Sequence, residues 1–120
     1  MTAEERAARV RLAILDVDGV LTDGRLYYGP EGEALKAFDV RDGHGIKMLL
    51  ERGIDVAILS ARNSLIVARR AQELGVARVL QGRGDKTAGF DELLRDAGLA
   101  ASETAFIGDD LPDLPVLRSV

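Results

Sequence analysis

The chain has 120 residues, one domain's worth, with 47% hydrophobic and 30% charged residues and a formal net charge of −4. That balance argues against a disordered chain and against a nucleic-acid footprint, and the lack of cysteine excludes disulfides, thiolate metal sites and cysteine nucleophiles. No apolar run approaches the roughly 20 residues of a membrane span, and the opening MTAEERAARV is charged, so a cytoplasmic protein with no membrane contact is expected.

In chain order, the first element is the apolar run VRLAIL (10–15). It is too short for a helix and, past Arg11, unbroken by polar residues, as in a strand buried on both faces. Asp16 and Asp18 follow it in DVDGV (16–20). Taken alone they read as turn residues or, equally, as two carboxylates facing one site, where a hard cation would relieve their repulsion. Residues 24–42 read as a β-hairpin around Gly29-Pro30-Glu31-Gly32. GIKMLLERG predicts a helix over 45–53, stopped by its glycine, with His44 before it as loop structure or, less favoured, as a substrate contact.

IDVAIL (54–59) predicts the second buried strand and ends at Ser60, which either caps the next helix or binds an anion at its N-terminus. The apolar stripe of SLIVARRAQELG predicts a helix over 64–75, and ARVLQG (77–82) is a weaker strand. KTAGFDELLRDAG predicts a helix over 86–98. Lys86 at its start opposes the helix dipole unless an anion sits nearby. TAFI (104–107) is the last strand, followed by Gly108, Asp109 and Asp110, with Asp113 assigned a capping role. Strands alternating with helices predict an α/β fold with a parallel, Rossmann-like sheet, whose ligands bind beyond the carboxyl ends of the strands. The order of acid pair, hydroxyl, lysine and acid pair at successive strand ends is more specific than any member of it.

Those four positions resemble the motifs of the haloacid dehalogenase superfamily: DVDGV, Ser60, Lys86 and GDD (108–110). More narrowly, DVDGVLTDG, FDVRDGHGIKMLL, LSAR, DK and GDDLPDLPV resemble the 3-deoxy-D-manno-octulosonate 8-phosphate phosphatases. The resemblance implies a Mg²⁺-dependent phosphatase of lipopolysaccharide precursor synthesis working through an aspartyl-phosphate. In it Asp16 is the nucleophile, Asp18 the acid and base, and Ser60 and Lys86 hold the phosphate. Mg²⁺ would be held by Asp16, the Asp18 carbonyl and Asp109, with Asp110 acting through water. By the same resemblance Asp39, Val40, Arg41, Asp42, Gly43, Arg62 and Arg70 contact substrate. Arg62 and Arg70, eight residues apart, are expected on one face of the helix after Ser60.

The whole chain (1–120) is expected to be a single capless domain, its hairpin serving as a flap, with the C-terminal part of the fold absent. The resemblance implies a homotetramer with hairpins at the interface, which would cover the open site. Two other readings remain: the same chemistry on a nine-carbon sialic-acid-type 9-phosphate, and a non-catalytic oligomerisation domain like those attached to sialic-acid cytidylyltransferases. A phosphoacceptor receiver fits poorly, because the middle strand ends in Ser60 where a receiver carries its aspartate.

Overall fold

A computed structural model describes residues 1–120. After a short helix α1 (Ala3–Ala7), strand β1 (Leu12–Leu15) runs through the middle of a parallel sheet. It pairs with β4 (Asp55–Leu59) on one side and β6 (Thr104–Ile107) on the other, and β5 (Arg78–Leu80) lies outside β4. The sheet order is therefore β5-β4-β1-β6. A separate antiparallel pair, β2 (Tyr27–Gly29) and β3 (Gly32–Leu35), forms the hairpin. Helices α2 (Val40–Glu51), α3 (Leu65–Leu74), α4 (Lys86–Ala97) and α5 (Leu114–Leu117) fill the connections.

The unbroken apolar runs are explained by two cores, one on each face of the sheet. Along β4, Val56 and Ile58 point into a cluster with Ile46 of α2 and Val67, Ala71 and Leu74 of α3. The alternate residues Ala57 and Leu59 enter a second cluster with Phe90 and Leu93 of α4 and Val116 of α5. A strand of period two that is covered on both faces has no position left for a polar residue. Each fully buried Leu or Phe contributes about 1.5–3 kcal/mol through its removal from water.

The helix limits follow from their caps. Ser64 accepts a hydrogen bond from the Val67 N–H and starts α3, while Asp85 accepts one from Ala88 and starts α4. Gly75 and Gly98 close these helices in the left-handed conformation, as their positions after the last apolar residue predict.

Three local expectations change. The ladder of the hairpin covers only 27–35, because Asp39 accepts the Arg41 N–H at 2.8 Å and opens α2 at Val40. Asp42, Gly43 and His44 are thus helical, although two glycines in the stretch obscure the pattern. Arg62 does not share a helix face with Arg70, since the Ser64 cap leaves residues 61–64 as a loop and places only Arg70 on α3. No helix is long and apolar enough to cross a membrane.

Candidate active site

The ladder brings the ends of β1 and β6 together: the N–H of Asp16, one residue past β1, donates to the carbonyl of Ile107, the last residue of β6, at 3.0 Å. In the same way the Ser60 N–H donates to Leu80 at the end of β4. Asp16, Asp18, Ser60, Lys86, Asp109 and Asp110 all line one cleft of about 330 Å³ at this edge, with Arg62 and Pro112. The four sequence motifs therefore meet in space.

Asp16 is 7% exposed, and its Oδ1 accepts the Val17 N–H at 2.8 Å. Its Oδ2 lies 3.1 Å from Lys86 Nζ. Lys86 in turn donates to Asp113 Oδ1 at 2.5 Å. Burial pushes the Asp16 carboxyl above its ordinary range, against the opposing pull of the Val17 N–H and the Lys86 ammonium. Burial also disfavours the charged form of Lys86, but the Asp113 hydrogen bond and the Asp16 charge outweigh it, so its pKa is raised. The anion expected at this helix start is supplied by two carboxylates of the chain itself.

Asp113 is the residue whose importance the sequence reading missed. It is fully buried, and its Oδ2 accepts the N–H groups of Asp109 and Asp110 at 3.1 and 3.2 Å. Carboxylate oxygens of Asp16, Asp109 and Asp113 lie within 4.8 Å of one another. Three converging acids beside one lysine form a hard-oxygen donor set that suits Mg²⁺ in charge and ligand type. Asp110 also lines the cleft, and its Oδ1 accepts the Leu111 N–H of its own 3₁₀ turn at 2.7 Å. A third acid after the adjacent pair was the available signal for Asp113.

Two glycines make room for the acids. Gly19 has φ +84°, and a β-carbon there would overlap the Asp109 carboxylate. One at Gly108 would overlap Asp113.

Asp18 reaches the cleft from the turn after β1, not by strand alternation, and faces the hairpin. Its Oδ1 lies 2.6 Å from Lys36 Nζ, and its Oδ2 3.7 Å from Arg62. Ser60 is buried, its Oγ accepting the Arg62 N–H at 3.3 Å. The remaining expected contacts lie elsewhere. Asp39, Asp42, Gly43 and Arg70 line a neighbouring recess, where the Arg70 guanidinium sits 5.8 Å from the centre of the Phe38 ring. Arg41 pairs with Asp39 at 3.0 Å, and Val40 is exposed.

A doubly wound parallel sheet with an acid-rich, lysine-bearing cleft at its carboxyl edge is the arrangement of an α/β protein that binds a ligand beyond its strand ends, here one suited to a phosphate and a hard cation. The model of the haloacid dehalogenase-like hydrolases matches residues 33–120, and the chain belongs to that family. It is 47% identical over 116 residues to the 3-deoxy-D-manno-octulosonate 8-phosphate phosphatase of Yersinia pestis, covering 97% of this chain and 62% of that protein. The crystal structure of the Yersinia pestis phosphatase superimposes with a TM-score of 0.94 at 47% identity, over 97% of this chain and 63% of that one. The 3-deoxy-D-manno-octulosonate 8-phosphate phosphatase of Moraxella catarrhalis, solved in complex with a magnesium ion, a phosphate ion and a KDO molecule, gives a TM-score of 0.93 at 43% identity, over 97% and 67% of the two chains. This chain thus spans about three fifths of the length of the curated relatives it matches.

Proposed function

We propose that this protein is a Mg²⁺-dependent phosphomonoesterase that hydrolyses 3-deoxy-D-manno-octulosonate 8-phosphate to the free sugar acid and phosphate, in lipopolysaccharide precursor synthesis. The observation that carries the reading is the sorting of the paired acids: Asp16 lies buried against Lys86, and Asp18 is held separately at the cleft wall. The names of the relatives at 46–47% identity support the substrate.

An Asp16 oxygen attacks phosphorus, and the bond from phosphorus to the sugar oxygen breaks. Asp18 is the group that supplies a proton to that leaving oxygen. Water then attacks the aspartyl-phosphate, loses its proton to Asp18, and releases phosphate as the Asp16 carboxylate is restored. Lys86, the Ser60 hydroxyl and Arg62 hold the phosphate oxygens as their charge redistributes. Lys86 also favours the ionised Asp16 that the attack needs. Mg²⁺, held by Asp16, Asp109 and Asp113 with the Asp18 carbonyl, would offset the negative charge of the acids and the phosphate.

The exposed apolar side chains Leu26, Tyr28 and Leu35 on and beside the hairpin, and Val40, support a homotetramer assembled through this region. In such an assembly the segment 39–43 and Arg70 would reach the sugar of an adjoining copy, because within one copy they line a separate recess. A cytoplasmic location fits the substrate. A purely structural assembly domain is disfavoured, since it has no use for a buried lysine between two acids.

The test is phosphate release from the eight-carbon 8-phosphate and from a nine-carbon sialic-acid-type 9-phosphate, each with Mg²⁺ and with chelator. Metal-dependent release, faster on the eight-carbon substrate and reduced at least about 1,000-fold in Asp16→Asn, is expected. Preference for the nine-carbon substrate would transfer the assignment to it. Silence on both would leave the assembly role.

A further inference from the structure

Lys36 directly follows the hairpin's second strand, where a lysine ordinarily extends into water, yet its side chain is 3% exposed. Its Nζ lies 2.6 Å from Asp18 Oδ1 and 2.7 Å from Glu33 Oε1. Arg62 stands across from the pair, 3.7 Å from Asp18 Oδ2 and 3.8 Å from Glu33. Taking an ammonium out of water costs several kcal/mol, roughly, unless carboxylates compensate it, and here two of them do. The arrangement repeats the logic of the buried cluster. Two acids two residues apart receive separate lysines, Lys86 for Asp16 and Lys36 for Asp18. Asp18 is thereby turned toward the hairpin, and it does not join the three acids that converge around Asp16.

We propose that Lys36, seated by Glu33, is a positioning residue that fixes the Asp18 carboxylate at the cleft wall, so that the hairpin is a working part of the active site. Without Lys36, Asp18 has no partner closer than Arg62 and faces the charge of Glu33. The inference rests on the phosphatase reading, in which Asp18 moves the proton. Its consequence is a dependence on leaving group. A sugar oxygen needs the proton that Asp18 delivers, whereas p-nitrophenolate departs as a stable anion.

The experiment is single-turnover phosphoryl transfer by the Mg²⁺-loaded protein from the sugar 8-phosphate and from p-nitrophenyl phosphate. Lys36→Met is expected to slow transfer from the sugar phosphate about 100-fold while changing transfer from the aryl phosphate less than about threefold, the size of effect that misplacing a reacting group by an ångström produces. Lys36→Arg, which keeps the charge, should recover transfer to within about tenfold of the parent. Mg²⁺ should raise the melting temperature of both variants as it does for the parent, because Lys36 touches none of the three converging acids. Should Lys36→Met fail to fold, Glu33→Gln loosens the lysine's seat and should show the same contrast at about tenfold. Equal losses on the two substrates, or no loss on the sugar phosphate, would overturn the positioning role and leave the phosphatase standing. A parent that releases phosphate from neither substrate would overturn the phosphatase reading, and this inference with it.

Discussion

Asp113 shows how one residue can serve stability and chemistry together. Its Oδ2 accepts two backbone N–H groups, and its Oδ1 binds Lys86 in a site without solvent. Asp113→Ala would leave Lys86 with only Asp16 and free two N–H groups. Removing one member of a buried ion pair costs about 3–5 kcal/mol, so a loss of that size is expected in urea unfolding without metal. Mg²⁺ affinity, read by calorimetry, should fall by about 10–100-fold or more, as Asp113 is one of the three converging acids. Lys86 carries a pH signature as well. Its folded pKa lies above the ordinary 10.5, so its ion pairs stabilise the fold below that value and the contribution is lost as pH rises through the folded pKa. Alkaline unfolding of metal-free Lys86→Met should therefore lack the step that the parent shows above pH 10.5.

At the scale of the element, the central strands are most sensitive to loss of volume. Leu59 of β4 is fully buried between α4 and the sheet, and Leu59→Ala should cost about 2–5 kcal/mol. Leu65, 90% exposed at the start of α3, provides the contrast: Leu65→Ala should stay within about 0.5 kcal/mol in the same measurement. The hairpin responds to acid. Burial alone would raise the Glu33 pKa, but Lys36, Ser64 and Arg62 together hold it below the ordinary 4.5. The stability it lends is thus present above that value and fades as pH falls through the lower folded pKa. Amide exchange in residues 27–35 should accelerate there in the parent, and Glu33→Gln should flatten that dependence.

For the whole molecule the open question is cover. The cleft is bounded by one sheet edge and one hairpin, and phosphoryl transfer through an acyl-phosphate gains from exclusion of water. The apolar side chains around the hairpin offer the surface for a further copy. Tyr28 is 67% exposed and would lie at the contact in the proposed tetramer, in which case Tyr28→Asp should shift its sedimentation toward smaller species. Turnover of the sugar phosphate should fall with the tetramer fraction, while Mg²⁺ binding to the three acids of each copy persists.

What the sequence alone determined were the elements and the motifs. VRLAIL, IDVAIL and TAFI read as buried strands because their polar residues Arg11, Asp55 and Thr104 stand only near the start and the residues after them are apolar, as burial on both faces requires, and Gly75 and Gly98 read as helix ends because a left-handed residue follows. The same local rules placed Asp16, Ser60, Lys86 and Asp109 at strand ends, and the sheet brought them together. Residue order could not show which partner each charge would meet. Asp113 is the cap its position predicts, accepting the Asp110 N–H, but its burial and its pairing with Lys86 depend on α5 folding back over the sheet, against Phe90 and Phe106 of the second core. Lys36 lies 18 residues from Asp18 in the sequence and becomes its partner only because the hairpin lays it against the cleft wall. Hydrophobic period and capping act within a few residues and are written locally, whereas charge pairing acts between segments that only the packed sheet makes neighbours.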